Sequence, residues 1–191
     1  MDYIKFDTIT STNDFLKSYA ETHKISNFFY VIADVQTDGR GQHTNIWQSE
    51  CCKNILISIF LQPDIDLAQQ TRLNQIVAVS IVKVLQKFNI PEVQIKLPND
   101  ILAEGKKIAG ILIENKIMGQ KWLQSIIGIG LNVNQTDFVN LPKAVSMKQI
   151  TGIDYNRDKI VKMLIQQLKI CYQEPLEKIQ KEFNNLLINN I

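Results

Sequence analysis

The segment from Lys121 to Asn134 constrains the fold most strongly, because its two faces have opposite character. If it is a strand, successive side chains alternate between the faces. One face is uniformly apolar and is predicted to lie on the core: Ile127, Ile129, Leu131 and Val133. The other face carries two bare positions and then two amides: Gly128, Gly130, Asn132 and Asn134. Because glycine weakens a strand unless something needs close access to it, we expect this face to be the floor beneath a flat ligand.

Strands and helices are segregated along the chain, which indicates the fold class. Strands are predicted at residues 3–9, 28–35, 54–61, 93–97, 100–103, 107–114 and 121–134, the last being the longest. Turns at 104–106 and 116–120 would connect successive strands as hairpins, which requires antiparallel pairing. Helices are predicted after Ser11, over 67–88, and from 156 onwards with a break at Pro175. We expect an α+β fold with a mixed, mainly antiparallel sheet and helices packed on one face.

Length and composition are those of an ordinary folded protein. The chain has 191 residues, of which 45% are hydrophobic and 21% charged. We expect a single domain over residues 1–191, with a motif-bearing core at about 5–150 and C-terminal helices at 156–191. The net charge of +2 gives no electrostatic reason to expect DNA or an anionic membrane as a partner. No apolar run is long enough to span a bilayer and the N-terminus does not resemble a signal peptide, so the expected location is cytoplasmic.

The cysteines and histidines indicate neither a disulfide framework nor a metal site. The three cysteines are an odd number, and Cys51 and Cys52 are adjacent. His23 and His43 are far apart and lack the spacing of metal ligands. We therefore predict no metal site on the protein itself.

Short polar and glycine-containing clusters are the candidate functional segments. In the loop Gly39-Arg40-Gly41, backbone N–H groups can approach an anion and a planar guanidinium can bind a carboxylate or phosphate with two hydrogen bonds. Each cluster by itself also fits an ordinary turn or a solvated side chain. In chain order the clusters are Ser11-Thr12-Asn13, Gln36 with Gly39-Arg40-Gly41 and Trp47-x-Ser49, Lys96-x-Pro98-Asn99-Asp100, Lys107-x-x-Gly110-Ile111-Leu112-x-Glu114, and Gly128-Ile129-Gly130-x-Asn132.

Taken together, in this order and spacing, the clusters resemble the biotin protein ligases, also called biotin–[acetyl-CoA-carboxylase] ligases. The resemblance covers most of residues 5–150. It implies the catalytic fold that these ligases share with class II synthetases. It also implies an enzyme that joins biotin to AMP from ATP and then passes biotin to a lysine of a biotin carboxyl carrier domain. Mg²⁺ would accompany the pyrophosphate leaving group, and a homodimer is a further state found in the family.

The resemblance also implies roles residue by residue. Arg40 and Lys107 would straddle the biotin carboxylate and the α-phosphate, and Asp100 would help to deprotonate the acceptor lysine. The implied biotin-binding residues are Ser11, Thr12, Asn13, Gln36, Gly39, Arg40, Gly41, Gln42, Lys107, Gly110, Leu112 and Gly128. The implied nucleotide-binding residues are Arg40, Trp47, Asn99, Lys107 and Asn132. The loop over 36–47 would fold over biotin and shield the acyl-adenylate from water.

The sequence departs from the family pattern in three respects. Gln42 stands where a second basic residue is common, so the adenylate is expected to be held more loosely or by other donors. Leu97 replaces a tryptophan, a packing change of small expected cost. No segment resembles the family's C-terminal β-barrel domain or the DNA-binding domain of some relatives, so repressor activity is not expected.

Two alternative functions remain open at this point. A lipoate or octanoate ligase shares the fold, although its family lacks the G-R-G-x5-W loop and the K-x-P-N-D sequence. A non-catalytic module that binds biotin or the carrier is the other alternative. The presence of Arg40, Lys107, Asn99 and Asp100 disfavours it, because a pure biotin binder needs no cations facing an adenylate.

Overall fold

The computed structural model describes residues 2–42 and 45–188, in which there are seven strands and five α-helices. The strands are β1 (Tyr3–Ile9), β2 (Tyr30–Gln36), β3 (Ile55–Leu61), β4 (Gln94–Lys96), β5 (Asp100–Ala103), β6 (Lys106–Met118) and β7 (Lys121–Leu131). The helices are α1 (Thr12–Thr22), α2 (Gln70–Lys87), α3 (Met147–Thr151), α4 (Arg157–Gln173) and α5 (Leu176–Leu186). Within these described residues, no helix combines the length and apolar character needed to cross a membrane.

The strands form one mixed sheet in the order β1-β2-β3-β7-β6-β5-β4. β1 and β2 pair in parallel, with Tyr3 opposite Tyr30. Antiparallel pairing joins β2 to β3, β3 to β7, β4 to β5 and β5 to β6. The predicted α+β class with a mixed, mainly antiparallel sheet is therefore confirmed.

Backbone contacts divide the chain into two compact units. The first unit comprises Met1–Gln70 and Ile111–Leu131, and the second comprises Thr71–Gly110 and Asn132–Ile191. The single domain expected over 1–191 stays a prediction.

In the first unit, α1 packs against β2, β3 and β7. Leu16 of α1 is fully buried and clusters with Val31, Phe60 and Ile126 from the three strands. Ser11 caps the helix, since its Oγ accepts a hydrogen bond from the N–H of Asp14 at 3.3 Å. This cap fixes the position of the first residues of α1 above the buried strand β3.

In the second unit, α2 forms the centre of the core. Its middle turns are buried on all sides, as is typical of a central core helix. The buried residues are Leu73, Ile76, Val77, Ala78, Val79, Ser80, Ile81, Val82, Val84 and Leu85. The Nζ of Lys87 donates to Oε1 of Gln167 in α4 at 2.8 Å. The Nζ of Lys83 lies 2.6 Å from Oε2 of Glu182 in α5. The predicted break at Pro175 separates α4 from α5, as expected.

Some element boundaries differ from the predictions. β6 continues to Met118 and is the longest described strand at 13 residues, whereas β7 ends at Leu131 and not at Asn134. The turn expected over 116–120 is shorter and consists of Gly119 and Gln120. Two residues can connect the strands of this hairpin because Gly119 adopts φ 60°. Helix α3 was not predicted, although the reciprocal side-chain and backbone bonds of Ser146 and Gln149 form a capping box.

Candidate functional site

A connected set of buried and half-buried polar side chains lies on the sheet in the first unit. The backbone N–H and the Oγ1 of Thr12 both donate to Oε1 of Gln36 at 2.8 Å. The Oγ of Ser58 lies 2.7 Å from Oγ1 of Thr12 and 2.5 Å from Oδ1 of Asn13. Thr12, Asn13 and Ser58 are at most 4% exposed. Hydrogen bonds in such a low-dielectric setting hold the side chains in one arrangement. We call these four residues the polar network.

The polar network has fewer hydroxyl protons than oxygen–oxygen contacts. Thr12 and Ser58 supply one hydroxyl proton each. Three oxygen–oxygen contacts would each require a hydroxyl proton: Thr12 with Gln36, Thr12 with Ser58, and Ser58 with Asn13. At least two of the four contacting oxygens therefore receive no hydroxyl proton and retain capacity to accept a hydrogen bond.

Arg40 follows β2 and binds two carboxylates of the same unit. Its Nη2 donates to Oδ1 of Asp14 at 2.6 Å and to Oε2 of Glu114 at 2.9 Å. The same oxygen of Glu114 accepts a hydrogen bond from Nδ2 of Asn13 at 2.8 Å. Glu114 thus connects the guanidinium to the polar network. Both carboxylates bind Nη2, and the Nε and Nη1 atoms of Arg40 carry three further N–H donors that can bind an anionic ligand beside them.

Backbone hydrogen bonds close the loop that carries Arg40. The N–H of Gly41 donates to the carbonyl of Asn45 at 2.7 Å, and the N–H of Trp47 donates to the carbonyl of Gly39 at 2.8 Å. The N–H of Gly41, which was expected to approach an anion, therefore forms a hydrogen bond within the loop. His43 lies outside the described residues. The closing movement of residues 36–47 over a ligand stays a prediction.

Other side chains approach the two glycines of β7 closely, in agreement with the predicted need for access at these positions. A Cβ added at Gly128 would lie 2.5 Å from Oδ1 of Asn13, and one added at Gly130 would overlap the indole ring of Trp47. The apolar face of the strand is buried, as expected. The groups that approach the glycines are thus side chains of this chain, and a ligand on this face stays a prediction.

The two amides that follow the glycines support the backbone of the second unit. Asn132 is 3% exposed, and its Nδ2 donates to the carbonyl of Val145 at 3.0 Å. Asn134 donates to the carbonyl of Tyr155 and accepts that residue's N–H, both at 2.9 Å. The sequence did not predict this structural role. Nucleotide binding by Asn132 stays a prediction.

An ion pair lies on the β5–β6 hairpin of the second unit. The Nζ of Lys107 is 2.6 Å from Oδ1 of Asp100, and the two side chains are 36% and 24% exposed. Asp100 also pairs with Gly110 in the strand register. The structure therefore brings together two of the three residues predicted to be catalytic.

The remaining predicted residues lie in the segments already described. In the first unit, Ser11 caps α1, and the carbonyl of Gln42 accepts a hydrogen bond from the N–H of Asn45 at 3.2 Å inside the Arg40 loop. The carbonyl of Leu112 accepts a long hydrogen bond from Nδ2 of Asn13 at 3.5 Å. In the second unit, Asn99 is half-buried directly before β5.

Ser58, Asp14 and Glu114 belong to the candidate site without having been assigned a role from the sequence. Ser58 had one available signal, because it is a single polar residue in the otherwise apolar strand Ile55–Leu61. Asp14 and Glu114 were visible in the sequence, but nothing there pairs them with Arg40. Among residues 2–42 and 45–188, no three His, Cys, Asp or Glu side chains cluster as metal ligands.

Comparison with solved structures defines the fold class of the chain. The biotin protein ligase from Aquifex aeolicus in complex with biotin and ATP superposes with a TM-score of 0.82 at 23% identity. The match covers 98% of this chain and 78% of that chain. The fold is therefore that of a biotin protein ligase.

Sequence comparison identifies the family. The model of the biotin/lipoate A/B protein ligase family matches residues 5–132, and the chain belongs to this family. It is 36% identical to the bifunctional ligase/repressor BirA of Bacillus subtilis over 148 residues, which are 75% of this chain and 44% of that protein. It is 29% identical to the biotin–[acetyl-CoA-carboxylase] ligase of Mycobacterium tuberculosis over 163 residues, or 83% of this chain and 59% of that protein. The chain spans about half the length of these curated relatives.

Proposed function

We propose that this chain is an ATP-dependent biotin protein ligase. It would form biotinyl-5′-AMP from biotin and ATP and then transfer biotin to a lysine of a biotin carboxyl carrier domain. The observation that carries the proposal is Arg40, a carboxylate-binding cation, connected through Glu114 and Asn13 to a buried set of neutral polar groups. Family membership supports ligase chemistry, and the names of the relatives support biotin as the substrate.

The polar network suits the ureido ring of biotin. That ring is neutral and offers two N–H donors and one carbonyl acceptor. At least two of its four oxygens receive no hydroxyl proton, and such an oxygen can accept a ureido N–H. Ser11, Gly128 and Leu112 would border the same ring system.

Arg40 is proposed to bind the biotin carboxylate in the first half-reaction. One carboxylate oxygen attacks the α-phosphorus of ATP, a new P–O bond forms, and the bond to pyrophosphate breaks. The guanidinium fork would orient the carboxylate and offset its repulsion from the phosphate. Asp14 and Glu114 both bind Nη2, so the biotin carboxylate would bind through Nε and Nη1. Lys107 is proposed to supply a second positive charge for the same step.

Asp100 is proposed to act in the second half-reaction. The acceptor amine attacks the acyl carbon, the bond to AMP breaks, and one proton leaves the amine. A nearby carboxylate can accept or orient that proton. Trp47, Asn99 and Asn132 are proposed to contact the nucleotide. The cation of Lys107, 2.6 Å from Asp100, would have to leave one carboxylate oxygen accessible to the amine.

ATP is proposed to bind as its Mg²⁺ complex, with the metal held by phosphate oxygens and water. The carboxylates of Asp14, Glu114 and Asp100 are each within 3 Å of a cationic side chain, which fits an ion held through phosphate rather than by the protein. Mg²⁺ bound in this way would supply charge stabilisation for the pyrophosphate leaving group.

Biotin-dependent exchange of labelled pyrophosphate into ATP tests the first half-reaction. We expect exchange with biotin, a large loss in Arg40→Ala, and full activity in Lys116→Ala. Lys116 is a suitable control because its ion pair with Glu21, 3.3 Å long, is exposed and lies in the same unit. Exchange with lipoate and not biotin would move the assignment to the lipoate ligases. Biotin binding without exchange would favour a non-catalytic binding module.

A further inference from the structure

Cys51 and Cys52 lie in an exposed turn that leads into β3. The N–H of Lys53 donates to the carbonyl of Glu50 at 3.4 Å, and the N–H of Cys52 donates to the carbonyl of Asp34 at 3.2 Å. Cys52 adopts φ 63° at the third position of this four-residue turn, a conformation usually taken by glycine or asparagine. The turn is thus held at a backbone conformation unlike that of a strand.

This turn places two sulfur atoms side by side. In an extended strand, consecutive side chains point to opposite faces. Here the Sγ atoms of Cys51 and Cys52 are 2.9 Å apart. Both cysteines are exposed, whereas Cys171 is buried. A small oxidant in solution therefore has access to a pair of thiols that are already in contact.

We propose that Cys51 and Cys52 form a reversible disulfide with each other on reaction with a low-molecular-weight disulfide such as oxidised glutathione. One cysteine thiolate attacks the small disulfide, forms a mixed disulfide and releases one thiolate. The neighbouring thiolate then attacks the protein sulfur of the mixed disulfide, closes the ring and releases the second thiolate. The two protein thiols are oxidised, the small disulfide is reduced, and the two thiol protons pass to the released thiolates.

The positions of the two thiols favour both rapid formation of the disulfide and its ready reduction. The second thiol attacks within one chain, so it competes favourably with any thiol in solution. Adjacent Cα atoms are about 3.8 Å apart across a trans peptide, whereas disulfides usually span roughly 4.4–6.8 Å. The ring is therefore strained, and strained, exposed disulfides are the ones that thiols reopen readily.

The test treats the folded protein with oxidised glutathione, then denatures it, alkylates the remaining thiols and digests it with trypsin. Trypsin cleaves after Arg40 and Lys53 with no Lys or Arg between them, so one peptide carries both adjacent cysteines. We expect this peptide to lose the mass of two hydrogen atoms and to resist alkylation. Dithiothreitol should restore both thiols, and Cys171 should be alkylated throughout.

Cys51→Ser and Cys52→Ser are matched controls, because each retains one thiol in the same turn. We expect the wild-type protein to release two glutathione thiols per chain and retain none. Each variant should release one and retain the other as a stable mixed disulfide. A wild-type peptide that keeps glutathione, or that stays reduced under conditions where either variant reacts, would overturn the proposal, as would a lack of reaction in all three proteins.

Discussion

The guanidinium of Arg40 donates to the carboxylate of Asp14 over 2.6 Å. The residue proposed to bind the carboxylate of biotin thus already holds a carboxylate of its own chain. The side chain of Asp14 is 49% exposed, so solvent screens this pair. Exposed ion pairs contribute about 0.2–1 kcal/mol. Biotin binding therefore includes a small electrostatic cost, because its carboxylate is brought close to the carboxylate of Asp14.

Neutralising the carboxylate of Asp14 should strengthen biotin binding. We expect Asp14→Asn to lower the dissociation constant for biotin about twofold to fivefold, which corresponds to the free energy of an exposed pair. Isothermal titration calorimetry measures the change. Glu21→Gln is the control, since Glu21 pairs with Lys116 on the surface of the same unit. Weaker binding by Asp14→Asn would mean that Asp14 holds Arg40 in its productive position.

Removing the guanidinium should disable the first half-reaction without unfolding the protein. We expect Arg40→Ala to slow biotinyl-adenylate formation about 100-fold to 1,000-fold, the usual cost of losing a preorganised charge-stabilising donor. The side chain of Arg40 is 37% exposed, so the free energy of unfolding should change by no more than about 1 kcal/mol. Single-turnover kinetics and chemical denaturation measure the two effects. A wild-type rate would refute the role.

Replacing Ser58 with alanine should lower both the stability of the protein and its affinity for biotin. In Ser58→Ala the buried Oδ1 of Asn13 loses its hydroxyl partner, which costs about 1–3 kcal/mol of stability. We also expect about tenfold weaker biotin binding, because the alignment of Thr12 and Asn13 depends on Ser58. Denaturation curves and calorimetry measure these changes.

Ser125→Ala is the matched control for Ser58→Ala. Ser125 is also fully buried, and its Oγ accepts from Nε1 of Trp122 and donates to Oδ1 of Asn115. We expect a similar loss of stability with unchanged biotin affinity. If both variants lose affinity equally, Ser58 acts through general stability and not through the polar network.

Replacing Asp100 should affect the two half-reactions differently. We expect Asp100→Asn to slow transfer from preformed biotinyl-5′-AMP to a carrier lysine about 100-fold, as for loss of a general base. Adenylate formation should change much less. Rapid-quench measurement of each half-reaction distinguishes the steps. An equal loss in both would show that Asp100 acts by holding Lys107, 2.6 Å away, and not as a base.

The regular elements were predictable from the sequence because they depend on local patterns. The periodic apolar residues of α2, the cap at Ser11 and the break at Pro175 appear where expected. The alternation of β7 also predicted which face is buried and where close approach occurs. Strand ends were less predictable, since the end of β7 at Leu131 depends on which strands lie beside it.

The partners of the site residues could not be predicted, because they depend on tertiary register. Arg40 and Glu114 are 74 positions apart in the chain, and Asn13 and Ser58 are 45 apart. No local pattern encodes these pairings. For the same reason, the hydrogen bond that the amide of Asn132 donates to the carbonyl of Val145 could not be predicted.

Mass-spectrometric identification of the acyl-adenylate tests the central claim most directly. The protein would be incubated with Mg²⁺, ATP and an equimolar mixture of biotin and lipoate, with Arg40→Ala in parallel. We predict biotinyl-5′-AMP from the wild-type protein and almost none from the variant. Lipoyl-AMP alone, or no adenylate from a folded protein that binds biotin, would contradict the account.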